Sequence, residues 1–322
     1  MLTHRLLPFA ATVLVGGMMS VQSRINGQLS AALGSGLEAA VYSFGSGLIL
    51  VLVLLAIVPS IRRGVARIPH AIRSGELAWW QILGGIFGGF FVAVQSAAVP
   101  FVGMAVFTVA VVAGQSTSSL FVDRAGLGPA GRVPITLTRV VSAVVAVLAV
   151  ILAVANRLTD GHISVIPVIF AVIAGSLTAV QQATNGRVSR AASSPLSATF
   201  FNFVFGTTAL AAAFGVSLAV TGGEASTLPS SPLWMYLGGV IGVAFIAIAS
   251  WAVPIVGVLR FALLSIAGQL TGAVLLDIFA PTSGTELGWN LFAGVMLAFV
   301  AVAIGSRSRT DASSPSVRES AA

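Results

Sequence analysis

Gln22 and Asn26 stand four residues apart inside a strongly apolar stretch, and Gln181 and Asn185 repeat the pair at the same spacing. Four residues is about one helical turn, so on a helix each pair shares a face. Carboxamides donate and accept hydrogen bonds without carrying charge. They can therefore meet a polar molecule in a low-dielectric setting at a smaller desolvation cost than an ion. Their chemistry is recognition, because an amide does not exchange protons near neutral pH. Two readings stand for each pair. The amides line a substrate cavity, or they hydrogen-bond neighbouring helices while the following glycine, Gly27 or Gly186, ends the helix through a left-handed cap.

A second polar set has the same alternatives. Gln115 and Thr117 follow Gly114, and Gln269 and Thr271 follow Gly268, where a residue without a side chain lets another helix approach closely. Arg24 and Arg260 are candidate charge contacts. Each snorkels to a membrane surface along its stem, or offers its guanidinium fork to an anionic group in the cavity. Gln95 has no polar counterpart, since Ala249 stands at the matching place. Asp123 and Asp277 end two apolar runs, where ion pairing or helix capping is the simplest role.

Nothing in the sequence points to catalysis. His4, His70 and His162 are scattered, there is no cysteine, and GGIFGG at 84–89 lacks the Lys-Ser/Thr of a phosphate loop. No metal site and no cofactor are expected. The net charge of +7 comes from arginines spread between apolar runs, with no lysine, so nucleic acid is not an expected partner.

The elements that position these side chains follow from composition. Mean hydropathy is +1.02 and 8% of residues are charged. Soluble domains average roughly 25% charged residues. Breaking the chain at Gly, Pro and charged clusters gives ten membrane spans at approximately 8–28, 37–59, 78–98, 101–122, 134–155, 163–184, 196–220, 233–252, 256–276 and 287–306. The segment at about 60–77 reads as an arginine-rich loop. Trp79, Trp80, Trp234, Tyr236 and Trp289 fall at span starts, as interfacial aromatics do. With both termini in the cytoplasm, most arginines fall inside and only Arg24 and Arg157 outside, in keeping with the positive-inside rule.

The opening repetition extends in order along the chain. AVPFVG at 98–103 returns as AVPIVG at 252–257, and GQSTSSLFVD at 114–123 as GQLTGAVLLD at 268–277. Trp80 with Gly84-Gly85 matches Trp234 with Gly238-Gly239. These matches divide the chain into a first five-helix repeat, 1–157, a second, 158–306, and a polar, disordered cytoplasmic tail, 307–322. Five is odd, so the second repeat enters the membrane from the opposite side. Inverted-topology repeats of this kind underlie many secondary transporters.

The duplicated Gln-x-x-x-Asn and Gly-Gln...Asp signatures resemble the YdcZ family of the drug/metabolite transporter superfamily, over about residues 8–306. The resemblance implies an all-α polytopic membrane protein of EamA-like fold, with ten transmembrane helices around a central cavity. It implies an inner-membrane secondary transporter of a small organic molecule, surrounded by membrane lipid, as a monomer or homodimer. Small multidrug exporters resemble this architecture but rely on a glutamate in the first span; this chain's first span contains no acidic residue, and Gln22 cannot exchange a proton. Two further functions fit the same residues: a lipid-linked carrier or flippase using Arg24 or Arg260 on a phosphate, and a non-transport scaffold whose amides are all satisfied between helices.

Overall fold

Between the faces of a bilayer no water answers a backbone N–H or C=O, so an apolar chain satisfies its own backbone by forming helices. The computed structural model describes residues 2–128, 131–132, 134–159, 165–222, 224–226, 232–256, 258–281 and 287–307. Among them the chain is helical, with no strand. The helices are α1 (Leu2–Leu33), α2 (Gly36–Ile57), α3 (Pro59–Arg73), α4 (Gly84–Val102), α5 (Met104–Ala125), α6 (Leu137–Thr159), α7 (Ile166–Ala192), α8 (Pro195–Thr221), α9 (Gly238–Val256), α10 (Val258–Phe279) and α11 (Trp289–Arg307). Short 3-10 turns, Trp79–Leu83 and Leu233–Leu237, carry the aromatic residues into α4 and α9.

Six helical segments among the described residues are long and apolar enough to cross a membrane: Leu6–Leu33, Gly36–Ile57, Trp79–Val102, Met104–Ala125, Ile166–Ala192 and Pro195–Thr221. Leu137–Ala153, Leu233–Ile246, Leu264–Phe279 and Trp289–Gly305 are apolar but shorter. Each of the ten expected spans falls on one of the helices other than α3. The tail after residue 307 lies outside the described residues.

The expected loop at 60–77 is instead largely helical, as α3. Its charge hid its periodicity. Ile61, Gly64, Ile68 and Ala71 recur every three or four residues and are buried, whereas Arg62, Arg63, Arg67, His70 and Arg73 are exposed. Pro59 occupies the first turn, where its missing N–H costs nothing. The helix sits on the turn between α7 and α8, where the Ser197 hydroxyl donates to the Ile61 carbonyl at 3.0 Å.

Asn26-Gly27 and Asn185-Gly186 do not end their helices. α1 continues to Leu33 and α7 to Ala192, and the left-handed residues are Gly34 (φ 69°) and Ser193 (φ 51°). After each of these turns a serine caps the next helix: Ser35 accepts from the Glu38 N–H, and Ser194 from the Ser197 N–H. Gly27 is used for close approach, since a Cβ there would stand 3.2 Å from Val99 of α4.

The helices pack in matching pairs. α1 lies against α10, α9 and α4, and α7 lies against α5, α4 and α8, while α6 packs on α11. A Cβ on Gly268 would overlap the Val13 carbonyl of α1, and one on Gly114 would overlap the Val172 carbonyl of α7. Gly47 faces Phe203 and Gly206 faces Phe44, whose rings pack together at 5.1 Å. α5 is enclosed at the centre, with Phe107, Met104, Val106, Val109 and Val111 buried. Without a strong hydrophobic drive between helices in lipid, this backbone proximity is what holds them.

The glycine contacts give a direct test. Gly268→Ala should destabilise the protein by about 1–3 kcal/mol through overpacking on α1. Gly45→Ala, where a Cβ meets nothing within 4 Å, should leave the melting temperature of the purified protein unchanged or raise it. Equal melting temperatures for the two variants would contradict this packing.

Candidate functional site

The two Gln–Asn pairs are each brought against a glycine pair that opens a helix of the other half. Gln22 Nε2 donates to the Gly238 carbonyl at 2.7 Å and lies 2.7 Å from where a Cβ on Gly242 would be. Asn26 Oδ1 occupies the place a Cβ on Gly238 would take, and Ser43 Oγ of α2 lies 2.8 Å from the same point. In the matching place, Gln181 Nε2 fills the Cβ position of Gly88 and donates to Asn202 Oδ1 of α8 at 3.0 Å. Asn185 Oδ1 is 3.1 Å, and Thr184 Oγ1 2.7 Å, from the Cβ position of Gly84. Any residue larger than glycine at these four positions would push the amides out.

The two clusters differ in how well they are satisfied. Gln181 and Asn202 bond each other, but Asn26 is 0% exposed and neither its Oδ1 nor its Nδ2 has a protein partner. The hydroxyl of Ser43 is also buried without a partner. On the α4 side of the same helix, Ser23 donates to Gln95 Oε1 at 2.6 Å, leaving Gln95 Nε2 unpartnered. An unanswered buried polar group costs roughly 1–3 kcal/mol.

Arg24 is not gathered with these amides. It stands two residues from both Gln22 and Asn26, about 200° around an α-helix. Its face is that of Ser20, whose hydroxyl donates to the Gln269 carbonyl of α10 at 2.7 Å. Arg24 is 4% exposed, its Nε and Nη1 bond no protein atom, and the charge of Asp277 acts on it. Asp277 itself caps α5: Oδ1 accepts from the Met104 N–H at 3.0 Å and Oδ2 from the Ala105 N–H at 2.7 Å. The side chain of Arg260 lies outside the described residues.

The second polar set is more dispersed. Gln269 is buried on α10 beside α1, Gln115 is half-buried, Thr117 Oγ1 is buried without a partner, and Thr271 is exposed. The acids that could carry protons are engaged elsewhere. Besides Asp277, Asp123 pairs with Arg139 at the start of α6, and Glu38 accepts from the N–H and hydroxyl of Ser226 at 3.1 and 2.9 Å.

Ser43, Asn202, Ser23 and Thr184 were not singled out in the sequence. Ser43 and Asn202 could have been found, because they stand at the same offset as Gln22 and Gln181. Two described cavities, of about 300 and 430 Å³, lie on other faces: one between α6 and α7, lined by Val150, Val168 and Val172, the other beneath α3.

The Asp277 cap predicts a stability effect. Asp277→Asn keeps one acceptor but removes the charge facing the N-terminus of α5, at an expected cost of about 1–2 kcal/mol. Thermal unfolding of the variant measures it, and an unchanged melting temperature would show that the carboxylate does not hold α5.

Relationships to known proteins agree with this doubled arrangement of glycine and amide faces. The family DMT_YdcZ, described as "Putative inner membrane exporter, YdcZ", matches twice, over residues 7–152 and 166–304. No curated protein gives a significant match. Each match spans apolar helices that include a Gln–Asn pair and the glycine pair opening α4 or α9. A membrane-embedded helical protein covered in this way by two copies of one family unit belongs to the DMT_YdcZ family of inner-membrane exporters.

Proposed function

We propose that the chain is a secondary transporter of ten membrane spans that moves a small polar or amphiphilic organic molecule by alternating access. Its halves, residues 1–157 and 158–306, enter the bilayer from opposite sides, and both termini are cytoplasmic. The matched packing supports the inversion: α1 meets α10 and α9 as α7 meets α5 and α4. In this arrangement Gln22 and Asn26 close on the glycines of α9 near the outer face, and Gln181 and Asn185 close on those of α4 near the inner face. Each closure joins one half to the other. A rocking of the halves that parts one pair therefore leaves the opposite pair shut.

The observation that carries this reading is Asn26. A purely structural amide in hydrocarbon is expected to be answered by a neighbouring helix. Asn26 is fully buried with both polar atoms unanswered, and Gln95 Nε2, on the α4 side of the same helix, is in the same condition. Such groups are suited to a partner supplied from outside the chain, a role that a scaffold does not require. The coupling acids of an ion-driven mechanism are not assigned, since Asp123, Asp277 and Glu38 all make structural bonds.

Stability and transport should separate at this residue. Asn26→Leu removes two unsatisfied polar atoms at nearly constant shape, so it should be neutral or raise stability by about 1–3 kcal/mol while transport falls. Ligands found by thermal shift across a metabolite library supply the substrate for uptake into proteoliposomes. Gln22→Leu and Gln181→Leu should reduce that uptake about tenfold, the equivalent of roughly 1.4 kcal/mol of lost recognition. Normal uptake by all three variants would remove the amides from the transport path.

A further inference from the structure

The structure assigns a second site, distinct from the amide clusters: a pocket beneath α3 that binds an anionic phospholipid. Among the described residues α3 has no counterpart in the second half, and PSIRRGVARIPHAIR contains four arginines and no acid. Its exposed face carries Arg62, Arg63, Arg67 and Arg73, and the nearest acid in sequence, Glu76, lies past its end. Arg67 and Arg73 form no ion pair among the described residues. Four positive charges on one face of an interfacial helix attract anionic headgroups.

Charge alone describes many cytoplasmic surfaces of membrane proteins. Here it adjoins a cavity. About 430 Å³ opens between α3, the 3-10 turn and α8, lined by Val65, Ile68, Ile72, Ile82 and Phe201, with Arg73 as its charged residue. That volume falls within the roughly 300–1,000 Å³ of ligand pockets. The lining suits an acyl chain, and the Arg73 guanidinium suits the phosphate joined to it. Trp79 and Trp80, exposed at 65% and 36%, stand at the start of the next helix and mark the depth of a membrane interface. An apolar cavity with a single cationic group at interfacial depth fits a phospholipid better than a soluble anion, which has no apolar part to fill it.

The position also connects the site to the inner amide cluster. α3 is tied to α8 through the Ser197–Ile61 hydrogen bond, and Phe201, against which the chain lies, adjoins Asn202, the partner of Gln181.

Native mass spectrometry of the full chain in detergent, supplied with phosphatidylglycerol or phosphatidylcholine, tests the assignment. The protein should retain phosphatidylglycerol preferentially. Arg73→Gln should weaken that retention about fivefold, the factor for roughly 1 kcal/mol per basic residue at an anionic surface. Ile72→Trp, which fills the cavity, should lower it at an unchanged melting temperature, whereas Arg67→Gln, outside the cavity, should change it much less. Equal retention of the two lipids overturns the site, as does an Arg67→Gln effect equal to that of Arg73→Gln, which would reduce it to general surface charge. Neither outcome depends on whether the amides carry substrate.

Discussion

A bilayer withholds water from everything between its faces, so each polar side chain in a span is answered by the protein or remains unanswered. In this chain most are answered locally. Thr12 donates to the Pro8 carbonyl, Thr178 to Ala174 and Thr184 to Val180, each within its own helix. Ser20 and Ser142 reach carbonyls of α10 and α11. Against that background the unanswered groups of Arg24, Asn26, Ser43 and Gln95 stand out. These four lie on α1 or on helices that pack against it, and hydroxyls elsewhere, among them Thr108 and Thr117 of α5 and Thr207 of α8, are unanswered as well.

Glycine makes the arrangement feasible. α4 and α9 each begin with a glycine pair after an aromatic 3-10 turn, and the amides occupy the space that side chains would take. A hydrogen bond to a main-chain carbonyl, such as that from Gln22 to Gly238, then becomes the contact between halves. Carboxylates serve the framework around it. Asp277 holds the N-terminus of α5, Asp123 ties the end of α5 to α6 through Arg139, and Arg187 closes on the carbonyls of Gly126 and Leu127. These ion pairs and caps thus serve ends and turns, the amides serve the interior, and Arg24 is the buried exception.

Much of this was legible in the sequence because it depends on local patterns. Apolar runs of about 20 residues locate spans, and the shared offset of Gln22 and Gln181 exposes the duplication. Three features were hidden for physical reasons. α3 has a helical period, but its four arginines resemble a solvated loop. The Asn-Gly dipeptides look like helix ends, yet the glycines serve close approach, and the chain turns at Gly34 and Ser193. Cross-half partners leave no local signal: Gln22 and Gly238 are 216 residues apart, and Asp277 caps a helix start 173 residues away. Which polar atoms remain unanswered is a property of the packed helices alone.

In the topology we propose, opposed threading of the two halves would place one amide cluster near each face. The absence of cysteine makes it directly measurable. Ser74 precedes α4 and Glu224 precedes α9, so they occupy equivalent connections of the two repeats, and both are exposed. Ser74→Cys and Glu224→Cys can be labelled with a membrane-impermeant maleimide in right-side-out and inverted vesicles. Opposed threading predicts that Cys at 74 reacts only from the cytoplasmic side and Cys at 224 only from the other. Labelling of both positions from one side would contradict it.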